Sequence, residues 1–301
     1  MIPSNGRYAP SPTGKLHLGN FRTALIAWLC ARSRGSGFIM RIEDLDPGRV
    51  REEHVDGQLR DLEAIGIDWD GDPVRQSQRT TLYADALEHL KAQDRVYPCF
   101  CSRREIREAA SAPHGDDQRA MYPGTCRALS AGEATARIEA GEAYALRLRA
   151  DRAQVDITDE RYGPRSAMVD DLVLVRRDGA YAYNLAVVVD DAEQGVQEVV
   201  RGDDLLASTP DQAYICDLLG IPRPRWFHVP LMLGADRDRL AKRRGAVTLA
   251  DLAADGISAA SVRTQLAHSL GLATPAEAVT PDILLQRFDR DALPTEPWVL
   301  G

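Results

Sequence analysis

Strand-like and helix-like segments alternate between residues 7 and 65, and that order leaves few folds open. Arg7-Tyr8-Ala9-Pro10 has the texture of a short strand running into a Pro/Gly turn. Over residues 20–34, apolar side chains recur at Phe21, Ala24, Leu25, Trp28 and Leu29, the spacing of an amphipathic helix, and Gly35 stops it. Phe38-Ile39-Met40-Arg41-Ile42 reads as a second strand. Asp46-Pro47 then caps a helix that keeps Val55, Leu59, Leu62 and Ile65 at helical spacing. Strand, helix, strand, helix predicts an α/β fold with a parallel sheet, whose neighbouring strands need the long crossover that a helix supplies.

The texture changes near Tyr97. Clustered cysteines, a loose Ser111-Ala112-Pro113-His114-Gly115 stretch and a strand-like segment at 144–148 predict an insertion over residues 97–165. It divides the sheet into a first half, residues 1–96, and a second half, residues 166–235. The second half is expected to resume with strands at 171–175, 184–189 and 198–201. Thr209-Pro210-Asp211-Gln212 has capping-box form and opens a helix that ends at Gly220. Residues 236–301 read as a short basic loop followed by a small helical unit.

Composition narrows the function classes. No run approaches the ~18 consecutive apolar residues of a membrane span. The opening Met1-Ile2-Pro3-Ser4-Asn5-Gly6-Arg7 lacks the apolar centre of a signal peptide, so a cytoplasmic chain with no membrane partner is expected. In that reducing compartment, cysteines at 30, 99, 101, 126 and 216 do not make a disulfide framework. A net charge of −8 argues against nonspecific nucleic-acid binding. The charge is uneven, however: residues 1–50 hold seven Arg/Lys against three Asp/Glu, and residues 51–100 hold six against eleven. A local basic face for RNA therefore stays open. Only three of the 37 basic residues are lysines, namely Lys15, Lys91 and Lys242. Each invites the question of what a compact ammonium does that a guanidinium fork cannot.

Three constellations carry candidate chemistry. Residues 10–20, Pro10-Ser11-Pro12-Thr13-Gly14-Lys15-Leu16-His17-Leu18-Gly19-Asn20, form a turn between strand and helix, where glycine lets backbone approach a ligand and the helix N-terminus favours phosphate. Lys242 lies in the basic segment Arg239-Leu240-Ala241-Lys242-Arg243. Cys99-Phe100-Cys101 and Tyr122-Pro123-Gly124-Thr125-Cys126 could give three thiolates and a phenolate oxygen to a tetrahedral zinc. The Cys-x-Cys spacing is tighter than usual, three free thiols are the alternative, and His114 rivals Tyr122 as fourth ligand.

His17-Leu18-Gly19-Asn20 resembles the H-I-G-H signature of class I aminoacyl-tRNA synthetases, with Asn20 in place of the second histidine. Residues 7–14 and Arg41-Ile42-Glu43-Asp44-Leu45-Asp46 look like the glutamyl branch of that class. Residues 239–243 are similar to its K-M-S-K-S loop, with Ala241 in place of serine. The resemblance covers residues 7 to about 244. It implies a Rossmann-type parallel sheet split by a zinc-containing insertion, with a small C-terminal helical unit. ATP, with Mg²⁺, would then meet His17, Gly19, Asn20 and Lys242, of which His17, Asn20 and Lys242 would serve catalysis.

Glutamate offers two carboxylates and an ammonium, so its site needs cations and an anion. Arg7, with Ala9 and Ser11 in the same segment, Glu43, Tyr183 and Arg201 match the branch's amino-acid contacts. The order Cys99, Cys101, Tyr122, Cys126 resembles the zinc site of truncated members of the branch, which favours Tyr122 and a structural metal. The chain stops soon after the lysine segment, without the anticodon-binding domain of discriminating glutamyl-tRNA synthetases. Those truncated members transfer glutamate from an adenylate to queuosine in the anticodon of tRNA(Asp). The resemblance thus implies glutamate, ATP and queuosine-bearing tRNA(Asp) as partners, and a monomer is expected. Two other readings are charging of a tRNA 3′ end and a non-enzymatic RNA-binding relative.

Overall fold

The computed structural model describes residues 4–102, 104–106, 121–234, 237 and 247–300. The first part of the chain runs β1 (Asn5–Tyr8), α1 (Leu18–Arg32), β2 (Gly37–Ile42), α2 (Glu52–Ala64), β3 (Val74–Arg75) and α3 (Thr80–Ala92). It continues through β4 (Val96–Cys99), α4 (Ala131–Glu139), β5 (Ala145–Leu148), β6 (Gln154–Asp159), β7 (Gly163–Met168) and β8 (Val173–Val175). Then come α5 (Tyr183–Glu193), β9 (Glu198–Gly202), α6 (Thr209–Leu219), β10 (Arg225–Val229) and β11 (Met232–Leu233). Three short helices, α7 (Leu249–Ala254), α8 (Ala259–Ser269) and α9 (Pro281–Arg287), precede β12 (Trp298–Val299).

The pairing is that of a sheet wound outward from its middle. β1 pairs in parallel with β2, and β2 with β3. On the other side of β1, Asn5 bridges Val196 in parallel, with Asn5 N–H donating to the Gly195 carbonyl at 3.1 Å and Gln197 N–H to the Asn5 carbonyl at 3.1 Å. This brings β9 beside β1. β9 pairs in parallel with β10, and β10 meets β6 in parallel through Trp226 and Asp159. The order therefore reverses between β1 and β9. Ligands of open α/β sheets bind at such a switch point, beyond the carboxyl ends of the strands.

Alternation along the central strands feeds one core on each face. Val200 and Phe227 join Phe21, Leu25, Leu29 and Met40, while Val199 and Trp226 join Tyr83, Leu185, Val188 and Ile215. Helix α1 is buried along Leu18 and Phe21–Ala31 apart from Thr23, instead of on a single stripe, because Val262, Leu266 and Leu284 of α8 and α9 cover its outer side. The helical C-terminal segment thus completes the core begun by α1. Gly220 has the left-handed φ of 66° that closes α6 where its glycine was expected to stop it.

Several local expectations are corrected. Residues 184–189 read as a strand but lie in α5, buried from Leu185 to Asp191 between α3 and α6. A continuous apolar run looks the same in a buried helix and a buried strand, and packing overrides the strand preference of three consecutive valines. The 171–175 strand shortens to β8 and pairs antiparallel with β5, which pairs antiparallel with β4. It belongs to that small three-stranded sheet and not to the parallel one. Helix α2 starts at Glu52 after Arg51, not at Asp46. The capping box at 209–212 does not form, since Ser208 is the N-cap and the Thr209 and Gln212 side chains are engaged elsewhere.

Candidate active site

A cavity of about 550 Å³ opens beside the switch point. It gathers Arg7, Ala9, Ser11, His17, Gly19, Asn20, Glu43, Tyr183 and Arg201. They arrive from several pieces of the fold: Arg7 from β1, Glu43 from just past β2, Tyr183 from the start of α5 and Arg201 from β9. His17 and Asn20 come from the N-terminus of α1. Lys242 and its neighbour Ala241 lie outside the described residues, as does His114.

The α1 entry explains the asparagine. Asn20 Oδ1 accepts the His17 backbone N–H at 3.0 Å, closing a capping box at the first turn. Asn20 therefore orders the turn that presents His17. A Cβ at Gly19 would come within 3.1 Å of the His17 ring, so glycine there lets the imidazole fold over the helix start.

A buried charge network crosses the base of the cavity. Asp191 of α5 accepts from Arg7 Nε at 3.4 Å and from Arg41 Nη1 at 2.7 Å, and Arg7 Nη1 also donates to the Val200 carbonyl at 3.1 Å. Burial opposes ionisation of Asp191, but Arg41 and Arg7 outweigh it and hold its pKa below the usual range. Arg41 Nη2 lies 3.6 Å from Glu43 Oε1. Burial pushes the Glu43 carboxyl upward, and Arg41 and Arg7 offset this only partly. Glu43 is thus an acid at the cavity wall whose charge would gain from an incoming cation.

Arg201 is the opposite case, a buried cation with no anion beside it among the described residues. Among the described residues no carboxylate lies within ion-pair distance of its guanidinium. Neutral acceptors surround it: His228 Nε2 at 2.9 Å from Nε, Gln212 Oε1 at 2.8 Å from Nη1 and Thr209 Oγ1 at 2.9 Å from Nη2. Longer contacts reach the Tyr183 hydroxyl at 3.3 Å and the Leu205 carbonyl at 3.4 Å. Burial, with the Arg7 charge nearby, lowers its pKa. Sequence reading found Arg201 but missed Arg41, Asp191, His228 and Asp159. A histidine inside Trp226-Phe227-His228-Val229 and an acid pair closing the apolar run of α5 were the available signals.

Three cysteines and Tyr122 converge at the end of β4. Sγ atoms of Cys99, Cys101 and Cys126 all lie within 4.8 Å of one another. Cys101 and Cys126 sulfurs are 3.5 Å apart, and the Tyr122 hydroxyl is 3.3 Å from Cys99 Sγ and 3.6 Å from Cys101 Sγ. Tetrahedral zinc with thiolates at about 2.3 Å needs ligand atoms separated by roughly 3.5–4 Å, so the donor set and its spacing fit that ion. The Phe100 N–H donates to Cys126 Sγ at 3.4 Å, a contact that favours a thiolate there. Arg147 stacks over the Tyr122 ring at 4.0 Å.

A sheet reversed at β1/β9, a helix N-terminus beside the reversal, and a cavity with one partly buried acid and two buried arginines suit a phosphate-bearing ligand and an amino acid. Residues 5–272 match the family model for tRNA synthetases class I (E and Q), catalytic domain. A glutamate tRNA ligase from Elizabethkingia meningosepticum, solved in complex with its amino acid, superposes with a TM-score of 0.84 at 25% identity, over 99% of this chain and 67% of that one. The chain has a class I aminoacyl-tRNA synthetase catalytic fold.

Within that class the relatives are specific. The glutamyl-Q tRNA(Asp) synthetase of Nocardia farcinica is 55% identical over 299 residues, 99% of this chain and 94% of the relative. That of Symbiobacterium thermophilum is 46% identical, over 97% of this chain and 94% of its own. The chain belongs to the glutamyl-Q tRNA(Asp) synthetase family.

Proposed function

We propose that the protein activates glutamate with ATP to glutamyl-adenylate, releasing pyrophosphate, and transfers the glutamyl group to a hydroxyl of queuosine in tRNA(Asp). The observation that carries the amino-acid assignment is Arg201, a buried guanidinium with no carboxylate partner among the described residues, facing one cavity with Glu43. An amino acid with a second carboxylate supplies the missing anion, and its ammonium adds a cavity-side cation to Glu43, whose charge Arg41 and Arg7 offset only partly. Arg7 and Tyr183 complete the contacts, with Ala9 and Ser11 along the same wall. His17, Gly19 and Asn20 at the start of α1 fit the ATP phosphates, assisted by the Lys242 segment and Mg²⁺. The acceptor assignment rests on the glutamyl-Q tRNA(Asp) synthetase relatives.

In this reading a glutamate carboxylate oxygen attacks the α-phosphorus of ATP and pyrophosphate leaves. The hydroxyl of queuosine then attacks the mixed anhydride and AMP leaves. No protein nucleophile is required. Orientation of the two substrates and cations placed around the pentavalent phosphorus supply the rate. Zinc held by Cys99, Cys101, Tyr122 and Cys126 would tie the end of β4 to the Tyr122–Cys126 turn, a structural role. A cytoplasmic monomer completes the reading.

Pyrophosphate exchange that depends on glutamate and needs no tRNA tests the first step. Nuclease mapping of the acylated nucleoside tests the second, with queuosine as the expected product. Glutamate found on a 3′-terminal adenosine would replace the transfer assignment with ordinary charging. Tight tRNA binding without exchange would favour the non-enzymatic reading.

A further inference from the structure

Arg201 can recognise a carboxylate only if its fork is aimed, and the aiming group lies outside every signature read from the sequence. His228 of β10 is fully buried and, besides a 3.3 Å contact between its Nε2 and Thr209 Oγ1, links two charged partners. Its Nδ1 lies 2.7 Å from Asp159 Oδ2, and its Nε2 lies 2.9 Å from Arg201 Nε. Arginine has only donors, so Nε2 must accept, and the ring proton must sit on Nδ1 and point at Asp159. Asp159 is itself pinned by the backbone N–H groups of Arg161, Tyr162 and His228 at 3.0, 2.9 and 3.1 Å. Burial and the neighbouring Arg201 charge lower the His228 pKa although Asp159 opposes them, so the ring is neutral.

The bond lengths around Arg201 sort by direction. The three short contacts go to His228, Gln212 and Thr209, none of which lines the cavity. The two long ones go to Tyr183 and Leu205, both of which line it. An incoming carboxylate can displace the long contacts while the short ones keep the guanidinium plane in place. We propose that His228 is a positioning residue for substrate: the Asp159–His228 pair grips Arg201 from behind and presents its cavity-facing N–H groups to a glutamate carboxylate. This rests on the glutamate-activating function above and assigns a specificity role within it.

Two polar isosteres of different reach test the idea in the full chain. His228→Gln can place its amide oxygen where Nε2 lies. His228→Asn is one methylene shorter and reaches toward Asp159 but not Arg201. In pyrophosphate exchange, His228→Asn should raise the glutamate KM on the order of tenfold to a hundredfold, the scale of losing one hydrogen bond to a charged group. Its ATP KM should stay within about twofold, and its preference for glutamate over glutamine should shrink. His228→Gln should remain within about threefold of the parent on all three measures.

Equal behaviour of the two variants, or glutamate and ATP constants rising together, would overturn the positioning role. ¹⁵N spectra of the unmodified protein give an independent reading that needs no variant to fold well. They should contain a buried imidazole protonated at Nδ1 and bare at Nε2, and the opposite tautomer would overturn the proposal. Absence of glutamate-dependent exchange in the parent would instead strike the functional reading on which it stands.

Discussion

Glu43 shows how a single residue can be tuned for a ligand at a cost to the fold. Its pKa is raised by burial in the folded chain, so the charged form is disfavoured relative to the unfolded state. This penalty is absent at pH below the ordinary carboxylate range and is felt in full above the raised value. Glu43→Gln should therefore leave the ligand-free protein as stable as the parent, or more so, at neutral pH, measured by thermal melting. The same change should raise the glutamate KM, since it removes the partner of the ammonium. In the parent, that KM should climb as pH falls through the raised Glu43 value, and the climb should vanish in the variant. Lys242 belongs to this scale too, although it lies outside the described residues. Lys91, another of the three lysines, makes a plain surface pair with Glu88 at 2.8 Å, so scarcity of lysine alone does not mark function. Lys242 differs from Lys91 in its place in a segment like the lysine loop. Lys242→Ala should slow exchange by roughly 10²–10³, with less effect on the ATP KM, and Lys242→Arg should be impaired as well.

At the scale of elements, legibility followed sequence distance. The turn between β1 and α1, the stop at Gly220 and the cysteine cluster were readable because their partners are close in the chain or bear a recognisable pattern. Thr209 and Gln212 were misread as a capping box because the spacing rule sees only neighbours, while Arg201 takes both side chains from across a turn. His228 and Asp159 are 69 residues apart on strands that meet at a single register pair, and no local pattern marks such a contact. The valine run of α5 failed for a different reason, that burial on all sides erases periodicity. The cysteine cluster gives the element-scale prediction. β4 is short, and the Tyr122–Cys126 turn is held to it by three sulfurs and a phenol. Cys101→Ser should lower bound zinc from about one per chain and lower the melting temperature, as expected where metal binding contributes folding energy. Metal analysis and thermal melting of protein purified without chelator check both, and a metal-free parent of full stability would refute the assignment.

At the scale of the whole molecule, the two halves of the sheet are sewn together more by charge than by strand pairing. Between β1 and β9 the backbone contributes the bridge at Asn5 and Val196. Below it, the two consecutive acids near the end of α5 reach into the first half. Asp190 accepts from Gln76, Arg79 and Tyr83 at 2.8, 2.6 and 2.8 Å, and Asp191 accepts from Arg7 and Arg41. The helix misread as a strand is thus the clamp between halves, and the same Asp191 holds Arg7 at the cavity. Asp191→Ala should leave the buried Arg7 guanidinium without its anion and Arg41 with only its longer contacts to Glu43 at 3.6 Å and Asp190 at 3.8 Å. Loss of one partner from a buried charge cluster costs about 3–5 kcal/mol, so a large fall in melting temperature is expected. The pH dependence separates this from a simple cavity. Because the folded pKa of Asp191 is depressed by Arg41 and Arg7, its contribution is present above the unfolded carboxylate value and is lost as pH falls through the folded one. The parent should therefore lose stability on acidification over the window below the normal aspartate range. In Asp191→Asn that part of the pH dependence should flatten, because an amide does not titrate. Equal acid sensitivity in parent and Asp191→Asn, followed by chemical denaturation across that window, would show that the clamp is not electrostatic and that packing, including the core that Val200 and Phe227 share with α1, joins the halves.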